Sequence, residues 1–119
     1  MGRRYVVLNP GSNEYGRRWP LRFYIDVANK FINNDYAVVF VGGKGELVDG
    51  LKTSLEPDSP IINIVGLTSV PELMNILNMA SCVISNDTGP AHLSIALSVP
   101  TVVIIGGGII GSSIAYHLR

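Results

Sequence analysis

Five short runs of β-branched and aromatic residues punctuate the chain, and most are apolar at consecutive positions rather than alternate ones. They are Tyr5–Leu8, Ala37–Val41, Ile61–Val65, Cys82–Ser85 and Thr101–Ile105. A strand that is apolar on both faces must be covered on both faces, which is the condition in a parallel sheet flanked by helices. The segments between the runs carry the matching helical stripes. Residues 21–33 place Tyr24, Val27, Ala28, Phe31 and Ile32 on one face, after Pro20 in a first-turn position. Residues 45–55 offer Leu47, Val48, Leu51 and Leu55. Ser69 and Glu72 have capping-box spacing and precede a stripe of Leu73, Ile76, Leu77 and Ala80. Residues 89–98 give Leu93, Ala96 and Leu97, and a last helix is predicted from about Ile109, carrying Ile110, Ile114 and Leu118. Strand alternating with helix predicts a doubly wound, Rossmann-like α/β fold with right-handed crossovers. The expected sheet is parallel and five-stranded, in the order 3-2-1-4-5. Residues 33–35 and 56–60 read as surface turns.

Composition narrows what such a fold can serve. At 119 residues the chain suits one domain, 1–119, and its 47% hydrophobic content excludes intrinsic disorder. Nine basic side chains balance nine acidic ones, which argues against a nucleic-acid partner. Cys82 is the single cysteine, so a disulfide framework or a cysteine zinc site is excluded and a reduced, cytoplasmic setting is expected. The start has no secretory pattern, and no apolar run is long enough to span a membrane as a helix.

In a sheet of this kind ligands bind beyond the carboxyl ends of the strands, where the strand order reverses. The residues that follow each strand are therefore the candidates. They are Asn9–Ser12 and on to Arg18, Gly42–Glu46, Gly66–Ser69 and Asn86–His92, all rich in Gly, Asn, Ser or Thr. The last is the most informative. Gly89-Pro90 opens a helix whose free amides and positive dipole end suit a phosphate or diphosphate, and Gly89 admits close backbone approach. His92 lies within the first turn and has a donor to offer the same anion. A second reading stays open: Asp87 or Thr88 caps the helix, and His92 packs. Glu46 either accepts ribose hydroxyls or complements a helix dipole. Arg17 and Arg18 supply either a planar phosphate donor or a solvated turn. Cys82, inside a strand, reads as a small buried hydrophobe.

Taken together, Pro10-Gly-Ser12, Arg17-Arg-Trp-Pro20, Val41-Gly-Gly43 with Glu46, Gly66-Leu-Thr-Ser69, Glu72-Leu73 and Ile84-Ser-Asn-Asp-Thr-Gly-Pro-Ala-His-Leu93 resemble the C-terminal half of the family 9 glycosyltransferases. These are the heptosyltransferases of lipopolysaccharide core assembly, with a GT-B fold. The resemblance runs from about Tyr5 to Val103. It implies a half that binds the nucleotide-sugar donor, ADP-heptose. Asp87, Thr88, Gly89 and His92 would then face the diphosphate and sugar, Glu46 the ribose and Thr68 the adenine. Ser12 would help hold the phosphate end. Arg17 stands where the family usually has a lysine near the donor phosphates; it keeps the charge and changes its shape. No cofactor and no metal enter this reading.

Two departures qualify it. The family's N-terminal domain, which holds the acceptor and the acidic residue that deprotonates it, has no counterpart here. This chain alone is therefore expected to transfer no heptose, and an apolar flank left by the missing partner domain would favour a homodimer. The tail from Ile104 to Leu118 resembles instead the strand, Gly-x-Gly-x-x-Gly turn and helix that open FAD-dependent oxidoreductases, with Gly106, Gly108 and Gly111 as its glycines. No second strand or ribose-binding acid follows. A helix that packs on the sheet and binds no flavin is expected, with a seam between two parental sequences near 101–106.

Overall fold

The computed structural model describes residues 4–10, 21–42, 60–86, 89–105 and 113–117. The elements in chain order are β1 (Tyr5–Asn9), α1 (Leu21–Asn33), β2 (Ala37–Phe40), β3 (Ile61–Asn63), α2 (Val70–Met79), β4 (Cys82–Asn86), α3 (Gly89–Ala96), β5 (Thr101–Ile105) and β6 (Ser113–His117). They form one sheet in the order β3-β2-β1-β4-β5-β6. The first five strands are parallel and carry the predicted 3-2-1-4-5 order. Register is set in the centre, where Val7 of β1 lies between Val39 of β2 and Val83 of β4.

The continuous apolar runs are explained by what covers them. Alternate residues feed opposite faces. Val6, Leu8, Val38, Phe40 and Ile104 pack with Tyr24 and Ala28 of α1 on one side. Val7, Val39, Val41 and Val83 pack with Leu77 of α2, Ala80 and Val99 on the other. All five predicted positions of the α1 stripe and all four of the α2 stripe belong to these two clusters. Leu93 of α3 and Leu97 just after it pack against the second core, but Ala96 is exposed. Each fully buried side chain of this size stabilises by roughly 1.5–3 kcal/mol.

The helix ends follow from local chemistry. The Ser69 hydroxyl accepts from the Glu72 amide, and the Glu72 carboxylate accepts from the Ser69 amide, closing the predicted capping box. Helix α1 stops in a Schellman turn. The Tyr36 amide donates to Phe31 and that of Asp35 to Ile32, with Asp35 at φ 67°. Phe31 and Tyr36 meet edge to face at 5.6 Å, the apolar contact that accompanies such turns. Helix α3 ends in the same way, with Ser98 at φ 60°.

One element departs from the sequence reading. Residues 113–117 form no helix; they are β6, a sixth strand antiparallel to β5, with Thr101 opposite His117 and Ile105 opposite Ser113. Ile110, Ile114 and Leu118 recur every four residues, and that spacing shares one face of a strand as well as one face of a helix. Two considerations favour the strand. The outer edge of β5 needs hydrogen-bond partners. The connection, 106–112, is also far shorter than the dozen or more residues a parallel crossover requires, so the return is antiparallel. The helix that the Gly-x-Gly-x-x-Gly turn needs after it is thus replaced by a strand over 113–117. Its glycines, Ile110, Leu118 and the helix expected over 45–55 lie outside the described residues.

Candidate functional site

Strand order reverses between β1 and β4, the inner strands whose following connections lead to opposite faces of the sheet. In open α/β sheets this is where a crevice forms at the carboxyl edge. Here that edge is made by Asn9-Pro10, Val41-Gly42, Val65-Gly66 and Asn86. The Gly66 amide donates to the Gly42 carbonyl at 2.9 Å, joining the exits of β2 and β3. Gly66 has φ 77°, a left-handed conformation that costs any other L-residue strain, so glycine here shapes the turn into Thr68.

Beneath the switch point lies a buried polar cluster that the sequence reading did not single out. On the α1 face, the Tyr24 hydroxyl donates to Asn86 Oδ1 at 3.0 Å, and Asn86 Nδ2 donates to the Pro10 carbonyl at 2.9 Å. On the other face, Asn9 Nδ2 donates to Ser85 Oγ at 2.9 Å, and that hydroxyl donates to the Asn86 carbonyl at 2.6 Å. Tyr24, Ser85 and Asn86 are fully buried, and Asn9 nearly so. Burial pushes the Tyr24 phenol far above its ordinary value, against a smaller downward pull from the Asn86 backbone. It therefore remains a neutral donor. The signal was present as Asn9 and Asn86 at the ends of two adjacent apolar runs, but both read as the first residues of loops.

Among the predicted site residues, the structure describes Thr68, Gly89 and His92. Thr68 is half-buried in the turn after β3, beside Leu67 and Val70, which are 73% and 62% exposed. These two open apolar side chains were not anticipated. Gly89 is the first residue of α3 and is exposed; a Cβ built there meets nothing within 4 Å. Its φ lies outside the left-handed range, and the residue it crowds on gaining a Cβ is its own neighbour Pro90, which disfavours the helical conformation in a preceding side-chain-bearing residue. His92 is exposed on the first turn of α3. All three belong to the carboxyl edge, Thr68 after β3 and the others after β4. Ser12, Arg17, Glu46, Asp87 and Thr88 lie outside the described residues. Cys82 is half-buried against the α1-side core, and burial raises its thiol pKa.

A separate cleft of about 500 Å³ opens at the amino edge of the sheet, lined by Arg4, Tyr36, Asn78, Ser81 and Pro100 among others. Among the described residues it shares none with the carboxyl edge, and Arg4 in its lining is stacked 4.8 Å over the Tyr36 ring. Among the described residues no group of three or more His, Cys, Asp or Glu side chains could hold a metal ion. No helix among them is long and apolar enough to cross a membrane.

The sheet order, the two helical layers and the carboxyl edge at the switch point define a Rossmann-like α/β domain. The glycosyltransferase family 9 (heptosyltransferase) profile matches residues 1–107, and the chain belongs to that family, as a region like its C-terminal half. It is 31% identical over 110 residues to lipooligosaccharide heptosyltransferase 2 of Campylobacter jejuni, a match that covers 88% of this chain and 34% of the relative. The structure of Escherichia coli ADP-heptose lipopolysaccharide heptosyltransferase II superposes with a TM-score of 0.77 at 23% identity, covering 85% of this chain and 32% of that one. An Escherichia coli heptosyltransferase with ADP-2-deoxy-2-fluoro heptose gives 0.76 at 20% identity, covering 84% and 31%. The chain thus spans about a third of the length of these relatives.

Proposed function

We propose that this chain is the donor-binding part of a heptosyltransferase and takes ADP-heptose or a closely related nucleotide sugar at its carboxyl edge. One observation carries the reading. Gly89 begins α3 beside the switch point, and the space a side chain would fill there is open. The positive end of a helix and the exposed amides there attract a diphosphate, Pro90 contributing none, and the missing Cβ of Gly89 lets it come close. Family membership supplies the chemical class. An Escherichia coli relative of the same fold is seen with an ADP-heptose analogue.

In this reading His92, one turn into α3, donates to the phosphates or the sugar, with Asp87 and Thr88 beside it. Ser12 and Arg17 hold the phosphate end from the β1 side, and Glu46 accepts the ribose hydroxyls. Thr68 lies at the base, where the exposed Leu67 and Val70 offer an apolar surface to a ring. Three inter-strand steps, roughly 14 Å at 4.8 Å each, separate the β3 exit from the β4 exit. An extended nucleoside diphosphate covers that length.

Transfer breaks the bond between the sugar and the diphosphate. Negative charge then grows on the leaving ADP, and the amino end of α3 is placed to stabilise it. The acceptor and the base that deprotonates it come from outside these residues, so residues 1–119 bind donor and do not turn it over. Isothermal titration with ADP and ADP-heptose tests the reading. Saturable 1:1 binding of both is expected; binding of neither would overturn it.

A further inference from the structure

We infer that Asn86, bridged to Tyr24, is a positioning residue that sets the geometry of the donor site from beneath; this rests on the donor-binding reading above. The two residues touch no ligand, since both are fully buried. What they touch is the framework. Asn86 is the last residue of β4, Pro10 follows β1 directly, and Tyr24 belongs to α1. One carboxamide thus joins three elements at the point where the strand order reverses.

The amide orientation is fixed by its partners. Nδ2 faces the Pro10 carbonyl and Oδ1 faces the Tyr24 hydroxyl. The flipped amide would set two oxygens face to face at Pro10. The opposite face is tied as well, from Asn9 to Ser85 and from Ser85 to the Asn86 carbonyl. Because Pro10 is bonded to Asn9, the bridges close a ring around the carboxyl end of the β1–β4 pair. An apolar filling would bury the same space without fixing any orientation, whereas the Asn86 carboxamide, hydrogen-bonded at both its oxygen and its nitrogen, specifies one arrangement. The Asn86 carbonyl that Ser85 holds belongs to the peptide leading out of β4 towards α3. Holding that peptide against the Pro10 exit fixes the amino end of α3 relative to the β1 loop, the two sides between which the diphosphate would lie.

The test compares two substitutions that each delete one buried or partly buried tyrosine hydroxyl, Tyr24 on α1 and Tyr5 on β1. Tyr24→Phe removes the donor to Asn86 and keeps the ring. Tyr5→Phe removes the hydroxyl bonded to the Ile76 carbonyl, at the opposite end of β1. ADP affinity is titrated well below each melting midpoint, so that only folded chain is present. Tyr24→Phe is expected to weaken ADP by about tenfold or more, and Ser85→Ala, a second variant in the ring, to weaken it in the same direction. Tyr5→Phe is expected to lower the melting temperature with no change in affinity. A wild-type chain that binds no ADP overturns the donor-binding reading and this inference with it. A wild-type chain that binds, with Tyr24→Phe and Ser85→Ala binding as tightly as Tyr5→Phe, overturns this inference alone.

Discussion

Single residues decide how the carboxyl edge is shaped, and they differ in how openly the sequence declares them. Gly66 is required by its backbone, with φ 77° and its amide bound to Gly42. Gly66→Ala should destabilise the fold by roughly 1–2 kcal/mol, read as a lowered midpoint in denaturant titration. Gly89 is different: its φ is not left-handed and a Cβ there meets nothing beyond its chain neighbours, so Gly89→Ala, crowded by Pro90 alone, should cost less than Gly66→Ala in the same titration. That Thr68, Gly89 and His92 stand at the carboxyl edge was legible because loops after parallel strands must share one edge. Asn9 and Asn86 were misplaced as loop residues because polar side chains at strand ends look like the start of a turn. Only pairing reveals that they continue the ladder, Asn9 opposite Ser85 and Asn86 opposite Ile104.

Among the elements, the helices declared themselves because their apolar stripes follow a period that a strand cannot satisfy. Residues 24, 27, 28, 31 and 32 share a face only at 3.6 residues per turn, and all of them pack on the sheet. The tail was ambiguous because a spacing of four fits both periods, and the open edge of β5 decided in favour of β6. Helix α2 gives a direct test of local coding. Ser69 caps it and Glu72 returns the bond, which holds the exposed Glu72 carboxyl below its ordinary pKa. Ser69→Ala should cost about 1 kcal/mol and raise the Glu72 pKa only part of the way to its ordinary value, since the Ser69 amide, the larger cause of the depression, remains; NMR titration reads both. Unchanged stability and an unchanged titration would mean the cap contributes nothing.

For the molecule as a whole, the two cores enclose groups whose ionisation the fold opposes. Burial raises the Tyr24 phenol strongly, and raises Tyr5 and Cys82 in the same direction, from ordinary values of 10.0 and 9.0. A pKa raised on folding contributes stability that is complete below the unfolded value and is lost as pH rises towards the folded one. Unfolding free energy should therefore hold through neutral pH. It should then fall above about pH 9–10, by up to about 1.4 kcal/mol per pH unit for each fully buried group. Chemical denaturation at stepped pH checks this, and Tyr24→Phe should flatten the decline. The parallel order was legible at this scale because consecutive apolar runs admit few other arrangements. Residues 11–20, 43–59 and 87–88 lie outside the described residues, and their chemistry was read from motifs alone.

The central claim, that a nucleoside diphosphate sits against the amino end of α3, has its most direct test in ADP titration of the wild-type chain beside Gly89→Val. The wild type should bind one ADP. A valine at Gly89 fills the open space and, titrated where the variant is shown by circular dichroism to be folded, should weaken binding at least tenfold, the equivalent of about 1.4 kcal/mol. Equal ADP affinity in the two chains, or no binding by the wild type, would contradict the account.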